Sequence, residues 1–323
     1  MILKSIVVLV MLLCSLLQAD NIKHYRADSH APIGVMADHG HKKSELMVSY
    51  RHMTMAMDTL YQGDSTIASS EVTGYTMIPQ DMTMSMHMVG AMYGLTKTLT
   101  VMSMIGHVTK EMTAASTMMT SSMESNGITD LKLSGIYTLK DNLNKLWVTN
   151  IGLSLPLGSI DEANGGSTRI GYPMQLGSGT YDVMTGSTYS VYKSTVSFGA
   201  KAAAVIRTGK NDHGYRLGNS LSLTAWVAKL INPAISVSAR LTRAAVGDIK
   251  GADAALNTSM TPANSTNANY TTYMLATGAN IQLPAKFAGF RVAVEYTVPI
   301  YYTVGNVQLT TDSTVLLGLQ HLF

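Results

Sequence analysis

Cysteine is almost missing. The chain of 323 residues holds one, Cys14, and it lies inside the first apolar run. Residues 20–323 therefore offer no disulfide, no thiolate metal site and no cysteine nucleophile. Charge is scarce too: Asp, Glu, Lys and Arg make up 13% of the chain, against about 25% in an ordinary soluble domain. With a formal net charge of +3 there is no basic surface for nucleic acid and no halophile-like acidic surface. At 46% hydrophobic residues the chain is not a disordered one. Long apolar runs are confined to the start, since none of the roughly 18 residues that a spanning helix needs occurs after Ala19. Gly-rich phosphate loops, nucleophile elbows and zincin helix motifs are also lacking.

The start reads as an export signal over 1–19: Lys4, an apolar run from Ile6 to Leu17, then Gln18 and Ala19 as a small-residue cleavage site. The run is too short for a membrane anchor. This implies a protein exported through a cleaved signal peptide.

What the rest of the chain has is alternation. Ile235, Val237, Ala239 and Leu241 oppose Ser236, Ser238, Arg240 and Thr242. Leu221, Leu223, Ala225 and Val227 oppose Ser220, Ser222, Thr224 and Trp226, and Phe290, Val292, Val294 and Tyr296 oppose Arg291, Ala293, Glu295 and Thr297. Such a period of two marks strands with one apolar face. Twelve runs carry it, near 45–58, 82–93, 97–111, 127–139, 144–156, 180–191, 194–208, 217–231, 233–248, 270–283, 288–299 and 310–323. Most reach the ~9–11 residues of a tilted membrane-crossing strand, and short and long connections alternate, as periplasmic turns and external loops do in outer-membrane barrels. The last run ends Val315, Leu317, Leu319, His321, Phe323, a C-terminal aromatic of the kind the barrel assembly machinery reads. Tyr93, Tyr181, Tyr189, Tyr192, Tyr296, Tyr301 and Tyr302 fall near strand ends, as interface girdles do. The expected fold is all-β: a transmembrane antiparallel β-barrel of about 12 strands over 45–323, in the bacterial outer membrane, with 20–44 as an N-terminal extension or lumen plug. The alternative is a secreted sandwich or solenoid.

Methionine is in excess, 23 in all, 17 of them between Met36 and Met123. Arg51 shares a face with Met53, Met55 and Met57, and a charge facing lipid at mid-depth costs about 2–4 kcal/mol, so this row is expected to line the lumen. By the same argument Met102 and Met104 follow, and by analogy Met82, Met84, Met86 and Met88, although His87 on the opposite face also prefers the lumen. The expected lumen charges are Arg51, Lys132, Lys201, Arg207, Arg240 and Arg291 against Asp130, Asp182 and Glu295. They form either structural pairs or an anion-selective interior. Thioether rows suit soft metals such as Cu(I) and also serve as plain apolar filler. In the segment 20–44, His24, His30, Met36, His39 and His41 are candidate metal ligands, with Asp28 and Asp38 as carboxylates beside them; imidazole and carboxylate ligands suit Cu(II), Ni(II) or Zn(II), and otherwise no cofactor is expected.

The segments His30–Met36, Tyr172–Asp182, Asn211–Gly218 and Gly247–Asp253 resemble those of outer-membrane barrels filed as transporters, the meta-pathway phenol-degradation group. The resemblance spans most of residues 20–323. It implies an outer-membrane channel or transporter for aromatic or other small organic compounds, with membrane lipid and a small-molecule solute as partners and no nucleic acid. A metal-binding barrel using the Met rows and N-terminal histidines is the second reading, and a structural or adhesive barrel a third. A phospholipase-like enzyme is remote: Ser103 and His107, four residues apart on one strand face, stand ~13 Å from each other, beyond the ~3 Å reach of a general base. No enzyme is expected.

Overall fold

The computed structural model describes residues 26–165, 168–284, 287 and 289–323. The signal segment 1–19 and His24 lie outside the described residues. No described helix is long and apolar enough to cross a membrane; the regular structure is strand, with short 3-10 turns in the loops.

Twelve strands close on themselves. They are β1 (Leu46–Met57), β2 (Ile78–Gly94), β3 (Leu99–Ala115), β4 in two pieces (Thr120–Ile128 and Leu131–Asn142), β5 (Lys145–Leu155), β6 (Asp182–Tyr192), β7 (Val196–Arg207), β8 (Ser220–Asn232), β9 (Ile235–Val246), β10 (Tyr270–Gln282), β11 (Phe290–Val304) and β12 (Ser313–Leu322). Each pairs antiparallel with its chain neighbours, and β12 pairs with β1 in the register Tyr50↔Leu319 and Met53↔Leu316 to shut the ring. Closure removes the open sheet edges that a bilayer would leave unpaired.

The registers fix which side chains share the interior. Arg51 stands beside Met88 and Gly318, Met88 beside Gly106, Thr224 beside Lys201 and Thr242, and Gly278 beside Glu295. The other face holds Val89, Val101, Leu133, Ile151, Phe198, Leu221, Leu223, Val227, Leu241, Val294, Leu317 and Leu319, all exposed. Oily residues outside and polar or small ones inside are the inverse of a soluble sandwich, and this pattern puts lipid against the wall.

Several strands outrun the expected segments. β2 begins at Ile78 rather than 82, β3 continues to Ala115, β4 begins at Thr120, and β11 runs through to Val304. The outward positions toward and on these extensions include Thr109, Glu111, Thr113 and Glu124, so the apolar alternation lapses from the end of the expected run onward while the ladder continues. Such stretches stand above the lipid, where neither face has to be greasy. The β4 break lies at Thr129–Asp130, where Thr129 N still donates to Gly106 O at 2.8 Å. The inward set shifts there from Met123 and Ser125 to Lys132, Ser134 and Ile136.

One facing that the sequence left open is resolved, and one expectation is corrected. His87 faces outward; its Nδ1 meets the Tyr50 hydroxyl at 2.7 Å, and it stands in a row with His52 and His107. The row marks the upper limit of the apolar band on β1–β3, where Thr54, Ser85 and Thr109 follow, so these imidazoles sit among polar groups. Tyr192 and Tyr302 are buried on the inner side, unlike the exposed Tyr93, Tyr181, Tyr189, Tyr296 and Tyr301. The Tyr192 hydroxyl donates to the Ser29 carbonyl inside the barrel at 3.0 Å.

The loops at the end away from the termini are ordered into a cover. A small sheet of Thr59–Gln62, Ser65–Thr66 and Gln308–Thr310 packs with Leu60, Val72 and Val307 as its core. Asp130 accepts from Gly158 N at 3.1 Å, Ser178 N at 3.0 Å and Ser178 Oγ at 2.8 Å, which pins both ends of the long β5–β6 loop.

Candidate functional site

Residues 26–44 lie inside the barrel. The segment enters at the turn end, where Ala27 N donates to Pro233 O at 3.0 Å, and leaves there, where Ser44 N donates to Gly94 O at 2.8 Å. Between these points it makes a hairpin whose tip is Ile33–Met36. Ala31, Pro32, Ile33, Val35 and Ala37 are the small and aliphatic residues that let it pack: all are buried. Trp226 covers Ala31 and Val35. Ala37 sits among Met47, Met92, Ile136, Leu146, Val148 and Tyr192, from five different strands. Ile33 rests on Gly318, where a Cβ would stand 2.7 Å from its Cδ1.

Charged wall residues hold the tip. Arg51 Nη1 lies against Met36 Sδ, and Lys201 Nζ donates to the Met36 carbonyl. Arg51 is on β1 and Lys201 on β7, six strands apart in a ring of twelve, so Met36 spans opposite walls. Arg291 Nη2 donates to the Ala31 carbonyl at 2.9 Å and Nη1 to Gln320 Oε1 at 2.7 Å. Gly34 passes so close to the Arg240–Glu295 pair that any side chain there would overlap it. That pair is bidentate at 3.0 and 2.5 Å and its carboxylate is buried. The segment thus reaches the inner face of β1–β9, β11 and β12.

The other lumen charges lie nearer the loop end. Arg207 pairs with Asp182, whose Oδ1 also accepts from Thr180 Oγ1 at 2.7 Å. Lys132 faces inward beside Met104. Lys110, absent from the expected set, also points inward and donates to the carbonyls of Pro173 at 2.7 Å and Gln175 at 2.6 Å. It lies inside the third run and shares the parity of Met102 and Met104, which is the signal by which the sequence marks it as inward.

The methionines share the interior as well. Met53, Met55 and Met57 on β1 stand opposite Met86, Met84 and Met82 on β2, and Met82 opposite Met112 on β3. Met102 packs against the cluster around Ala37, and Met104 borders a small cleft with Met36 and Arg51. Near the loop end, Met82, Met112 and Met123 are buried with Met174 and Ile170 of the β5–β6 loop. There thioether rows form a dry core under the cover. Met53, Met55, Met84, Met86, Met88 and Met104 stay partly exposed toward the lumen.

Three of the candidate ligands, His30, His39 and His41, converge in the hairpin, joined there by Asp38. His30 Nδ1 is 3.3 Å from His39 Nδ1, His39 Nδ1 is 2.8 Å from Asp38 Oδ1, and the His39 and His41 rings are 5.0 Å apart. Asp38, one of the two carboxylates that the sequence sets beside these histidines, also accepts from Ala31 N at 2.9 Å. Met36 is turned away to Arg51, and His24 is not among the described residues. Burial, with the His39 and Arg291 charges, pushes His30 well below its ordinary range, and burial with His39 pushes His41 down to about 3. Burial opposes ionisation of Asp38, but the His39 imidazole beside it wins and holds its carboxyl low.

Three of the four segments that carried the family resemblance, Tyr172–Asp182, Asn211–Gly218 and Gly247–Asp253, meet at the cover; His30–Met36 lies in the hairpin. Tyr172 and Tyr215 stack edge to face at 4.8 Å with Ile249 and Leu256 in the same cluster. Asp253 N donates to Tyr172 Oη at 3.1 Å, Asp253 pairs with Arg169, and Arg216 bridges to Lys250. Burial pushes Tyr215 up to about 12 and raises Tyr172.

No family model matches the chain, and no curated protein sequence does. Solved structures do. An outer membrane channel from Pseudomonas putida F1 is similar over 88% of this chain and 98% of its own, at 14% identity and a TM-score of 0.65. The β domain of the Bordetella autotransporter BrkA (TM-score 0.47, 9% identity, 87% and 100% covered) and a KdgM porin (0.40, 9%, 86% and 99%) are more distant. The likeness to the Pseudomonas channel shows that the chain has the fold of an outer-membrane β-barrel.

Proposed function

We propose that the protein is an outer-membrane channel for small organic molecules, closed from the periplasmic side by residues 26–44. The observation that carries this reading is the hairpin tip held across the lumen between Arg51 and Lys201. A lumen meant only as structural filling would be packed by wall side chains. This one is filled by a detachable segment bound through backbone carbonyls. The turn end is then periplasmic and the loop cover external.

The substrate class follows from the walls. Arg207 and Arg240 have carboxylate partners in Asp182 and Glu295, whereas Arg51, Lys201 and Arg291 contact the hairpin, Arg291 with Gln320 of the wall as its second partner. Withdrawal of the hairpin leaves three cations facing a lumen that is methionine-lined on one side. That combination favours small organic anions with an apolar part. The loop motifs that resemble the phenol-degradation group support a small organic substrate. Catalysis forms no part of this reading: Ser103 and His107 both face outward, and the cross-strand neighbour of His107 is His87. Planar-bilayer recording of the intact protein and of a variant lacking 26–44 tests the proposal. The variant should conduct continuously and the intact protein rarely; two barrels that both pass no ions would overturn it.

A further inference from the structure

We infer that His30, Asp38 and His39, with His41 beside them, form a site for a borderline divalent transition ion such as Zn(II) or Cu(II). This goes beyond the channel reading and concerns the hairpin alone. One nitrogen of each of the His30 and His39 imidazoles and one Asp38 oxygen lie within 4.8 Å of one another, the closest pairs at 2.8 and 3.3 Å. An ion bound by nitrogen and oxygen at about 2.0–2.2 Å sets its ligands roughly 3.4 Å apart in a tetrahedron. The three donors need only small rotations to reach that spacing.

Two further observations point to a ligand. The Nε2 of His41 is buried and has no hydrogen-bond partner among the described residues, so it is available as a further donor; the Nε2 of His39, equally unpartnered, lies across its ring from the Nδ1 that meets His30 and Asp38. Buried imidazole nitrogens normally find a partner. The Asp38 carboxylate is held from the far side by Ala31 N at 2.9 Å, the outer contact that orients a metal-binding carboxylate. Three imidazoles and one carboxylate suit Zn(II), Cu(II) or Ni(II) rather than Ca(II) or Mg(II), which take oxygen. An entry path exists: a cavity of about 690 Å³ at the turn end is lined by His30, His39 and His41 together with Glu45, Lys97 and Phe323. His30 lies on one arm of the hairpin and Asp38 to His41 on the other, so a bound ion ties the arms together and stiffens the closed form.

The test uses the full exported chain without a polyhistidine tag, purified in detergent and stripped with chelator. Isothermal titration with Zn(II) should give one ion per barrel, and His30→Ala, His39→Ala and Asp38→Asn should each weaken binding at least tenfold. His213→Ala, which breaks a surface pair with Asp161 at the other end, should leave it unchanged. Heat-modifiable migration on gels shows that each variant is folded. Cu(II) added in place of Zn(II) should display nitrogen hyperfine coupling in its electron paramagnetic resonance spectrum, lost in His30→Ala/His39→Ala. Absence of saturable binding, equal binding in that double variant, or a spectrum of oxygen ligands alone each overturn the site. Conductance recorded on the same samples separates the two ideas: a barrel that conducts without binding zinc refutes only the site, and one that binds zinc without ever conducting refutes only the channel.

Discussion

Replacing the apolar tip of the hairpin tests how strongly the lumen is closed. Ile33 and Val35 are 3% and 5% exposed, and each buried aliphatic side chain contributes about 1.5–3 kcal/mol over its exposed form. Ile33→Ser/Val35→Ser removes both contributions and keeps the backbone carbonyl of Ala31 and the Asp38 cluster. The docked form then loses about 3–6 kcal/mol relative to the withdrawn one. At about 1.4 kcal/mol per factor of ten, the population shifts by two to four orders of magnitude. In planar bilayers the fraction of time spent open should rise accordingly, toward the constant conductance of the chain lacking 26–44. Neither change touches a wall strand, so circular dichroism and heat-modifiable migration should stay as in the parent. An open fraction unchanged by the double substitution, in a barrel that the deletion does open, would refute the claim that apolar burial holds the tip.

Other outcomes follow from other contacts. Glu295→Gln strands the Arg240 guanidinium inside the barrel and should cost about 3–5 kcal/mol, read as a lower urea midpoint in detergent; an unmoved midpoint would mean that solvent already reaches the pair. Lys132→Glu in the chain lacking 26–44 should lower the chloride-over-potassium permeability ratio, measured as a reversal potential across a salt gradient. Mild peroxide followed by peptide mass spectrometry should oxidise Met118 and Met119 first, at 96% and 60% exposed, and Met174 last, at 0%. Tyr215, held protonated up to about 12, gives the folded cover more bound protons than the open one between pH 10 and 12. The cover is therefore at full strength below pH 10 and loosens as pH rises toward 12. An ultraviolet difference titration of Tyr172→Ala against the parent should show the Tyr215 ionisation move back toward 10 once the stack is disrupted.

The barrel was legible because lipid imposes a simple rule on every second residue. Where Leu221, Leu223, Ala225 and Val227 alternate with Ser220, Ser222, Thr224 and Trp226, no other element competes, and the strand and its facing follow. The rule holds only where lipid is present. Above the apolar band, Thr109, Glu111 and Thr113 continue the β3 ladder with no periodic mark, so the strand runs on past 111 to Ala115, and around Lys110 no apolar row on the opposite face draws attention to its inward parity. Facing stayed open on β2 for a related reason: a histidine at the rim of the bilayer is as comfortable outside as in, and only the register and the Tyr50 contact show that the Met row takes the lumen. The hairpin cluster was half legible. Spacing drew attention to His39 and His41, but only the turn at Ile33–Met36 brings His30 back onto Asp38 and sends Met36 to the opposite side.

The oily belt of this barrel is uneven in height. On β7 it runs from Phe198 through Ile206, but on β2 only from Val89 to Tyr93 before the histidine row begins. Four fewer residues, at ~3.4 Å each along a strand inclined by about 40°, make the β1–β3 flank roughly 10 Å shorter than the opposite one. A membrane of uniform thickness cannot match both sides. The cylinder must lean, or the leaflet beside the imidazoles must pinch inward, and whichever happens, lipids arriving at that flank meet a surface unlike the rest of the wall.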